Sequence, residues 1–236
     1  MKVAILADIH ANLPAWTAVE AELGLMQIDA TVIAGDIVGY YYWPSEVIER
    51  LVRRPNLYVV RGNHEDMLEE FRNDLWSRAR LRKKYGHGLD VALDTLTAQQ
   101  FAWLENLPNE AVVDIGGRRL VIRHSANTQN EGYLYPDAPS EAFPPAMAEN
   151  ADLTIYAHTH HPFVWVSPGG GAILNPGSVG QPRDIGGLAS FVVFETTSCS
   201  ARFVRTEFDT HTLKTAVQTY DPNLASVSKS LDWKRL

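Results

Sequence analysis

Val3-Ala4-Ile5-Leu6-Ala7-Asp8-Ile9-His10 sets how the rest of the chain is read: five apolar residues run without a break and end on a carboxylate and an imidazole. An unbroken apolar run, in place of alternation, belongs to a strand covered on both faces. The pattern returns four times. Residues 30–34 are followed by Gly35-Asp36, residues 57–60 by Gly62-Asn63-His64, residues 120–122 by His124, and residues 153–157 by His158-Thr159-His160. In open α/β sheets, functional groups gather beyond the carboxyl ends of strands. Five strand ends therefore deliver Asp, Asn or His toward one edge.

Helical patterns alternate with the first three runs. Asn12 can cap a helix that has Pro14 in its first turn and Trp16, Val19 and Leu23 on one face. A second helix carries Val47, Ile48, Leu51 and Val52, and Pro55 stops it. Residues 66–107 read as helical and charged, with Thr97 and Gln100 forming a capping box ahead of Phe101 and Leu104. After Asp114 the pattern becomes strand-like. Gly116-Gly117 is a hairpin turn between residues 111–115 and 118–122, and residues 191–194 and 201–204 read as two late strands. No internal repeat, low-complexity tract or linker interrupts the chain, so residues 1–236 are expected to form one α/β sandwich domain.

Composition narrows the function. Hydrophobic residues make up 45% and charged residues 21%, ordinary for a soluble globular protein. With 21 Lys+Arg against 28 Asp+Glu, no basic excess exists to displace counterions, so stable nucleic-acid binding is not expected. Nucleotides stay open as substrates, because bound metals bring their own positive charge. Cys199 is the only cysteine, which rules out an intramolecular disulfide and argues against a zinc–thiolate site. No apolar run approaches the roughly 18 residues of a membrane span. Asp8, Ile9 and His10 cut short the one stretch that looks like a signal peptide. The expectation is a cytoplasmic location without a membrane partner.

Each strand-end residue alone reads as a turn former, a cap or a structural histidine. Together they demand a partner, since clustered carboxylates and imidazoles are unfavourable in a partly buried site. A divalent cation is the natural one. Mixed oxygen and nitrogen ligands without thiolate favour manganese, iron, zinc, cobalt or nickel, whereas calcium prefers an all-oxygen shell.

Taken in order, Asp8-Ile9-His10, Gly35-Asp36, Gly62-Asn63-His64-Glu65, His124 and His158-Thr159-His160 resemble the calcineurin-like metallophosphoesterase superfamily. The run Asn175-Pro176-Gly177-Ser178-Val179-Gly180-Gln181-Pro182-Arg183 is similar to its bacterial and archaeal branch of YfcE-type phosphodiesterases. The resemblance implies a four-layer αββα sandwich with a dinuclear metal centre at the strand ends. Asp8, His10 and His160 would hold one divalent transition-metal ion, Asn63, His124 and His158 the other, and Asp36 would bridge them. Manganese is the first expectation, with iron, zinc, nickel or cobalt as alternatives. His64 would face the substrate and act as the catalytic acid on the leaving oxygen, a role worth about 10²- to 10⁴-fold. The implied activity is hydrolysis of small phosphomonoesters or phosphodiesters by in-line attack of a hydroxide shared between the cations. The same cations would offset charge on the phosphoryl oxygens. Two rivals stand beside it. One is a catalytically weak binding scaffold of the same fold, as in the retromer subunit, which lacks a histidine at the position matching His64. The other is a phosphodiesterase or pyrophosphohydrolase restricted to nucleotides. The presence of His64 and all seven ligand positions favours the enzyme.

The chain departs from the family in places. Ala157 stands where glycine is usual. The Ser/Thr phosphatases that share Arg61-Gly62-Asn63-His64-Glu65 also carry Asp-Arg-Gly after the second motif; here Gly39-Tyr40-Tyr41 replaces it, against protein phosphatase activity. Tyr40, Tyr41, Tyr42 and Trp43 either pack beneath their loop or in a dimer contact, or form a stacking wall for a nucleobase with Tyr41 touching substrate. Residues 127–139 are a lid with Tyr133 or Tyr135 facing substrate, or an ordinary surface loop. Arg183 either grips a phosphate oxygen with its planar fork or holds Asp184 or a loop. A homo-oligomer is compatible with an exposed aromatic loop.

Overall fold

The computed structural model describes residues 1–126, 132–224, 227 and 231. Two five-stranded mixed sheets lie face to face. The first contains β1 (Lys2–Leu6), β2 (Ala30–Ile33) and β3 (Leu57–Val59), joined through α1 (Leu13–Leu25) and α2 (Pro44–Leu51). These strands are parallel, with Val3 opposite Ala30 and Thr31 opposite Leu57. Four helices follow: α3 (Asn63–Asn73), α4 (Leu75–Tyr85), α5 (Gly88–Thr95) and α6 (Ala98–Glu105). The charged stretch expected to be helical is thus helical but broken. Asp74 ends α3 and caps α4 by accepting from Trp76 N and Ser77 N, and Thr97 caps α6 in the expected box with Gln100.

The second sheet holds β4 (Glu110–Ile115), β5 (Arg118–Arg123), β6 (Leu153–Ile155), β7 (Phe163–Val166) and β8 (Ala172–Asn175) in the order β4-β5-β6-β8-β7. The β4–β5 hairpin turns at Gly116-Gly117, and β5, β6 and β8 run parallel. A short helix, α7 (Phe143–Ala146), precedes β6. The chain then returns to the first sheet as β9 (Leu188–Glu195) and β10 (Ser200–Glu207), giving the order β10-β9-β1-β2-β3, and finishes in α8 (Thr210–Tyr220).

Three apolar interiors define four layers. Trp16, Ile48, Phe71, Leu81, Leu89 and Leu213 bury the helices against one face of the first sheet. Val3, Ile5, Val32, Ile122, Ile155 and Leu174 fill the space between the sheets. Phe143, Tyr156, Phe163 and Ile173 form a smaller cluster on the outer face of the second sheet. That fourth layer is thin: a 3₁₀ turn, the four-residue α7 and adjoining loop. The αββα sandwich is therefore present but lopsided, with most of its helix on one side. Because β1, β2, β3, β5, β6 and β8 all point the same way within their parallel ladders, their carboxyl ends can meet at one rim.

Candidate metal centre

At that rim the backbone bends sharply at the ligand positions themselves. Asp8, His10, Asp36, His158 and His160 all have left-handed φ angles, between 51° and 65°. Such angles are uncommon for residues with a Cβ and persist only where surrounding contacts impose them. Here a web of hydrogen bonds imposes them. Asp8 N donates to Gly35 O at 3.1 Å and His10 N to Asp36 O at 3.0 Å, which interlocks the first two loops. The Asn175-to-Arg183 run braces them from the other side. Ser178 Oγ donates to Asp8 O at 2.8 Å, and Asn175 Nδ2 donates to Ala157 O at 2.9 Å. Ala157 itself lies outside the left-handed set and packs between the sheets, so its methyl group costs the loop nothing.

Glu65 ties the third loop to the second. Its buried carboxylate accepts from Gly62 N (2.8 Å), Asp36 N (3.0 Å), Ile37 N (2.8 Å) and Val38 N (3.1 Å). Nothing in the sequence reading assigned it a role. Gly62 must be glycine here, because a Cβ would land on the Asp36 carboxylate.

The side chains converge in two groups that share one carboxylate. Asp8, His10, Asp36 and His160 offer ligand atoms within 4.8 Å of one another, and so do Asp36, His124 and His158. Asn63 Oδ1 joins the second group, 2.9 Å from His124 Nε2. Asp36 is held by its Oδ1, which accepts from His64 N at 2.8 Å. Its Oδ2 lies 3.3 Å from His124 Nε2 and 3.8 Å from His10 Nε2. All seven expected ligand residues are thus brought together.

The nitrogens show what the pocket is built for. His10 Nδ1 donates to Val38 O at 3.2 Å, and His160 Nδ1 donates to Gln181 O at 2.7 Å. A carbonyl can only accept, so each ring carries its proton on Nδ1. Burial, helped at His160 by the Arg183 charge, holds both rings well below the ordinary imidazole value, hence neutral. Their two Nε2 lone pairs face each other at 3.1 Å. Beside them the fully buried Asp8 carboxylate accepts no hydrogen bond from any described residue, and burial pushes it well up. Lone pair against lone pair, next to an unserved carboxylate, is repulsive unless a cation stands among them. In the second group, burial opposes charge on His124, but the Asp36 carboxylate overcomes it and lifts the imidazole to about 10, so this spot too favours a positive charge. The donor set therefore fits divalent metal, with backbone carbonyls fixing the ring tautomers.

Beside the centre opens a cavity of about 410 Å³. His64 lines it, packed edge-on against His10 at 4.7 Å, and burial holds its imidazole down to about 4. A Cβ on Gly39 would strike that ring, so the loop after Asp36 reaches the site only as glycine. Arg183 also lines the cavity, beside the Tyr40 hydroxyl at 3.5 Å. It does not hold Asp184, which pairs with Arg205 instead. Tyr133 lines the mouth, its ring 4.4 Å from that of His158 and parallel to Tyr135. Of the segment 127–139 considered as a lid, residues 127–131 lie outside the described residues.

Tyr41 is a correction. It is fully buried, and its hydroxyl donates to Val227 O rather than facing substrate. Tyr42 is buried too, stacked on Tyr220 and donating to Asp221. Gly39 and the left-handed Tyr40 turn these rings into the helical layer, where their apolar area is removed from water. Only Tyr40 of this run lines the cavity. Tyr40, Tyr41 and Tyr42 thus present no exposed ring surface, and Trp43 is half-buried.

Two sheets meeting over clustered imidazoles and carboxylates are the plan of a metal-dependent phosphoesterase. Residues 1–198 match the calcineurin-like phosphoesterase superfamily domain, and the chain belongs to that superfamily. It is 31% identical over 225 residues to the uncharacterized protein MJ0912 of Methanocaldococcus jannaschii, covering 88% of both chains. Its fold matches a metallophosphoesterase of Sphaerobacter thermophilus with a TM-score of 0.76 and 27% identity, over 98% of both chains. It also matches the hypothetical protein PH1004 of Pyrococcus horikoshii with a TM-score of 0.82 and 22% identity, over 99% of both. These relatives are prokaryotic, in line with the branch that the Asn175-to-Arg183 run resembles. Among the described residues no helix is long and apolar enough to cross a membrane.

Proposed function

We propose that the protein is a hydrolase of small soluble phosphate esters, working with two divalent cations held by the seven residues at the sheet rim. The observation that carries this reading is the confrontation of His10 Nε2 and His160 Nε2 beside the unserved Asp8 carboxylate, next to an open cavity that His160 lines. Bound cations would make a water nucleophilic near neutral pH and offset phosphoryl charge. The chain's own groups do the rest. Asp8, His10 and His160 form one ligand set, Asn63, His124 and His158 the other, and Asp36 serves both. Arg183 pairs with no carboxylate among the described residues, so its fork is available to a phosphoryl oxygen. His64 donates the proton to the departing oxygen. Burial keeps its ring neutral beforehand, and an arriving phosphate anion adds the negative charge that favours the imidazolium. One P–O bond forms to water, the P–O bond to the leaving group breaks, and the proton goes to the leaving oxygen.

The test pairs elemental analysis with an ester panel that varies the leaving group. The manganese-loaded protein should hydrolyse p-nitrophenyl phosphate, its bis ester and alkyl phosphates. A p-nitrophenolate departs without a proton, whereas an alkoxide needs one. His64→Ala should therefore keep its metal, lose about 10²- to 10⁴-fold on an alkyl ester, and lose less on the nitrophenyl ester. Equal losses on both would remove the acid role. Bound metal with no turnover on any ester would favour the scaffold reading.

A further inference from the structure

An imidazole that hands a proton to a leaving oxygen has to be aimed, and His64 has no polar neighbour to aim it. Its Nδ1 is buried and bonds to no described residue. The loop after Asp36 passes so close that a Cβ on Gly39 would lie 2.0 Å from that nitrogen. Catalytic imidazoles are ordinarily oriented by a third group bonded to the second ring nitrogen. Here aromatic rings stand in its place.

Three rings from three elements surround His64. His10, after β1, meets it edge-on at 4.7 Å, and Tyr85, at the end of α4, meets it edge-on at 5.1 Å. Tyr40 lies 4.8 Å away, tilted by 35°. Tyr40 also touches the other two, 4.7 Å from His10 and 5.6 Å from Tyr85, so it joins the whole group. Its place is imposed. It is buried at a left-handed φ of 51°, a costly angle for a bulky residue. Tyr41 N donates to His10 O at 3.2 Å, and α5 starts so close that a Cβ on Gly88 would strike the Tyr40 backbone. The Tyr40 hydroxyl is 3.5 Å from Arg183, the outer limit of a hydrogen bond, so the ring makes the firmer contacts.

We propose that Tyr40 is a positioning residue for His64: its ring fixes the orientation in which the imidazole presents a proton to the leaving group. This rests on the phosphoesterase reading with His64 as its acid. A backbone outlier beside a reacting group marks a conformation kept for position. Without the ring, the imidazole is free to turn about its χ2, and a misplacement of about 1 Å costs on the order of 10²-fold. The metal centre should be spared, because Tyr40 is none of its seven residues.

Tyr40→Leu removes the ring and Tyr40→Phe keeps it. With full-length, manganese-loaded protein, Tyr40→Leu should retain its metal and lose about 10- to 10²-fold in kcat on an alkyl phosphate. Its kcat on p-nitrophenyl phosphate, whose leaving group departs without a proton, should stay near wild type. Tyr40→Phe should match wild type on both. In a His64→Ala background, adding Tyr40→Leu should cost nothing more on the alkyl ester, because the ring acts through the imidazole. Should Tyr40→Leu not fold, Tyr40→Met fills the volume with a flexible chain and gives the same comparison. Equal losses on the two esters, loss of metal, or a full additive loss in the double variant overturns the role. A second readout needs no turnover. In metal-free protein, the His64 ring signals in NMR, identified by their absence in His64→Ala, should form one sharp set in wild type and Tyr40→Phe, and be broadened or split in Tyr40→Leu. Signals unchanged in Tyr40→Leu overturn the positioning and leave the phosphoesterase reading intact. Absence of wild-type turnover on every ester sinks the phosphoesterase reading instead, and the NMR comparison still judges whether Tyr40 orders His64.

Discussion

Glu65 accepts four backbone amides, and that geometry leaves no room for a substitute with donors of its own. Glutamine would point an NH₂ at N–H groups that already donate. Burial and the neighbouring Asp36 charge push the Glu65 carboxyl up to about 7, while the amides of Gly62 and Val38 pull it down. The isosteric Glu65→Gln change tests the amide web without making a cavity. We expect it to cost about 1.5–3 kcal/mol, as loss of a hydrogen bond to a charged group does. It should also weaken metal affinity, because the Asp36 loop and the start of α3 lose their common anchor. Denaturant melts and metal titration by calorimetry measure the two effects. Full stability with weakened metal would place Glu65 in tuning alone, and no change in either would discard the anchor. At this scale the seven clustered residues were legible in the sequence because each follows an apolar run. The anchor was not, since its partners are backbone amides that no residue letter records. Tyr41 misled for a related reason: its position after Asp36 is local, whereas its burial depends on helices that arrive later in the chain.

Elements were legible where sequence pattern and burial agree. Strands buried on both faces, β1, β2 and β6, stood out as apolar runs, broken only by Thr31 in β2 and Thr154 in β6. β7 was missed although Phe163 to Val166 is an unbroken apolar run, and there the pattern does not mean burial on both faces: it is an edge strand with Val164 and Val166 exposed. β8 escaped with its partner, although Pro168-Gly169-Gly170-Gly171 between them was a turn signal. α8 was also missed, yet it has a clear start. Asp209 accepts from the Thr212 hydroxyl at 2.6 Å and from the amides of Thr212 and His211, which together hold its carboxyl below the ordinary 3.8. The charged form is thus the one the fold favours. Its contribution is complete above pH 3.8 and is lost as pH falls through the lowered folded value. Asp209→Asn should therefore melt below wild type at neutral pH, with the gap narrowing in acid. Thermal melts of the metal-free protein across that range check this, and a gap of constant size would mean the charge is idle.

For the whole molecule, we expect residues 1–236 to unfold as one domain, in a single transition whose midpoint depends on metal. A cation that binds the folded site and not the unfolded chain adds about 2.7 kcal/mol at a free concentration one hundred times its dissociation constant. Removing metal with a chelator should lower the melting temperature, and restoring manganese should recover it. Two separate transitions, or a melt indifferent to verified metal removal, would contradict a metal-organised rim. The proposed ligands come from opposite sheets: Asp8, Asp36 and Asn63 follow β1, β2 and β3, whereas His124, His158 and His160 follow β5 and β6. An ion seated among them acts as a rivet through two plates. Emptied, the seam should be the first place to gape, so amides of β1 and β6 would trade hydrogen with solvent early. Loaded, the same amides should be among the last to exchange, and the enzyme's working centre would double as the bolt that keeps its halves shut.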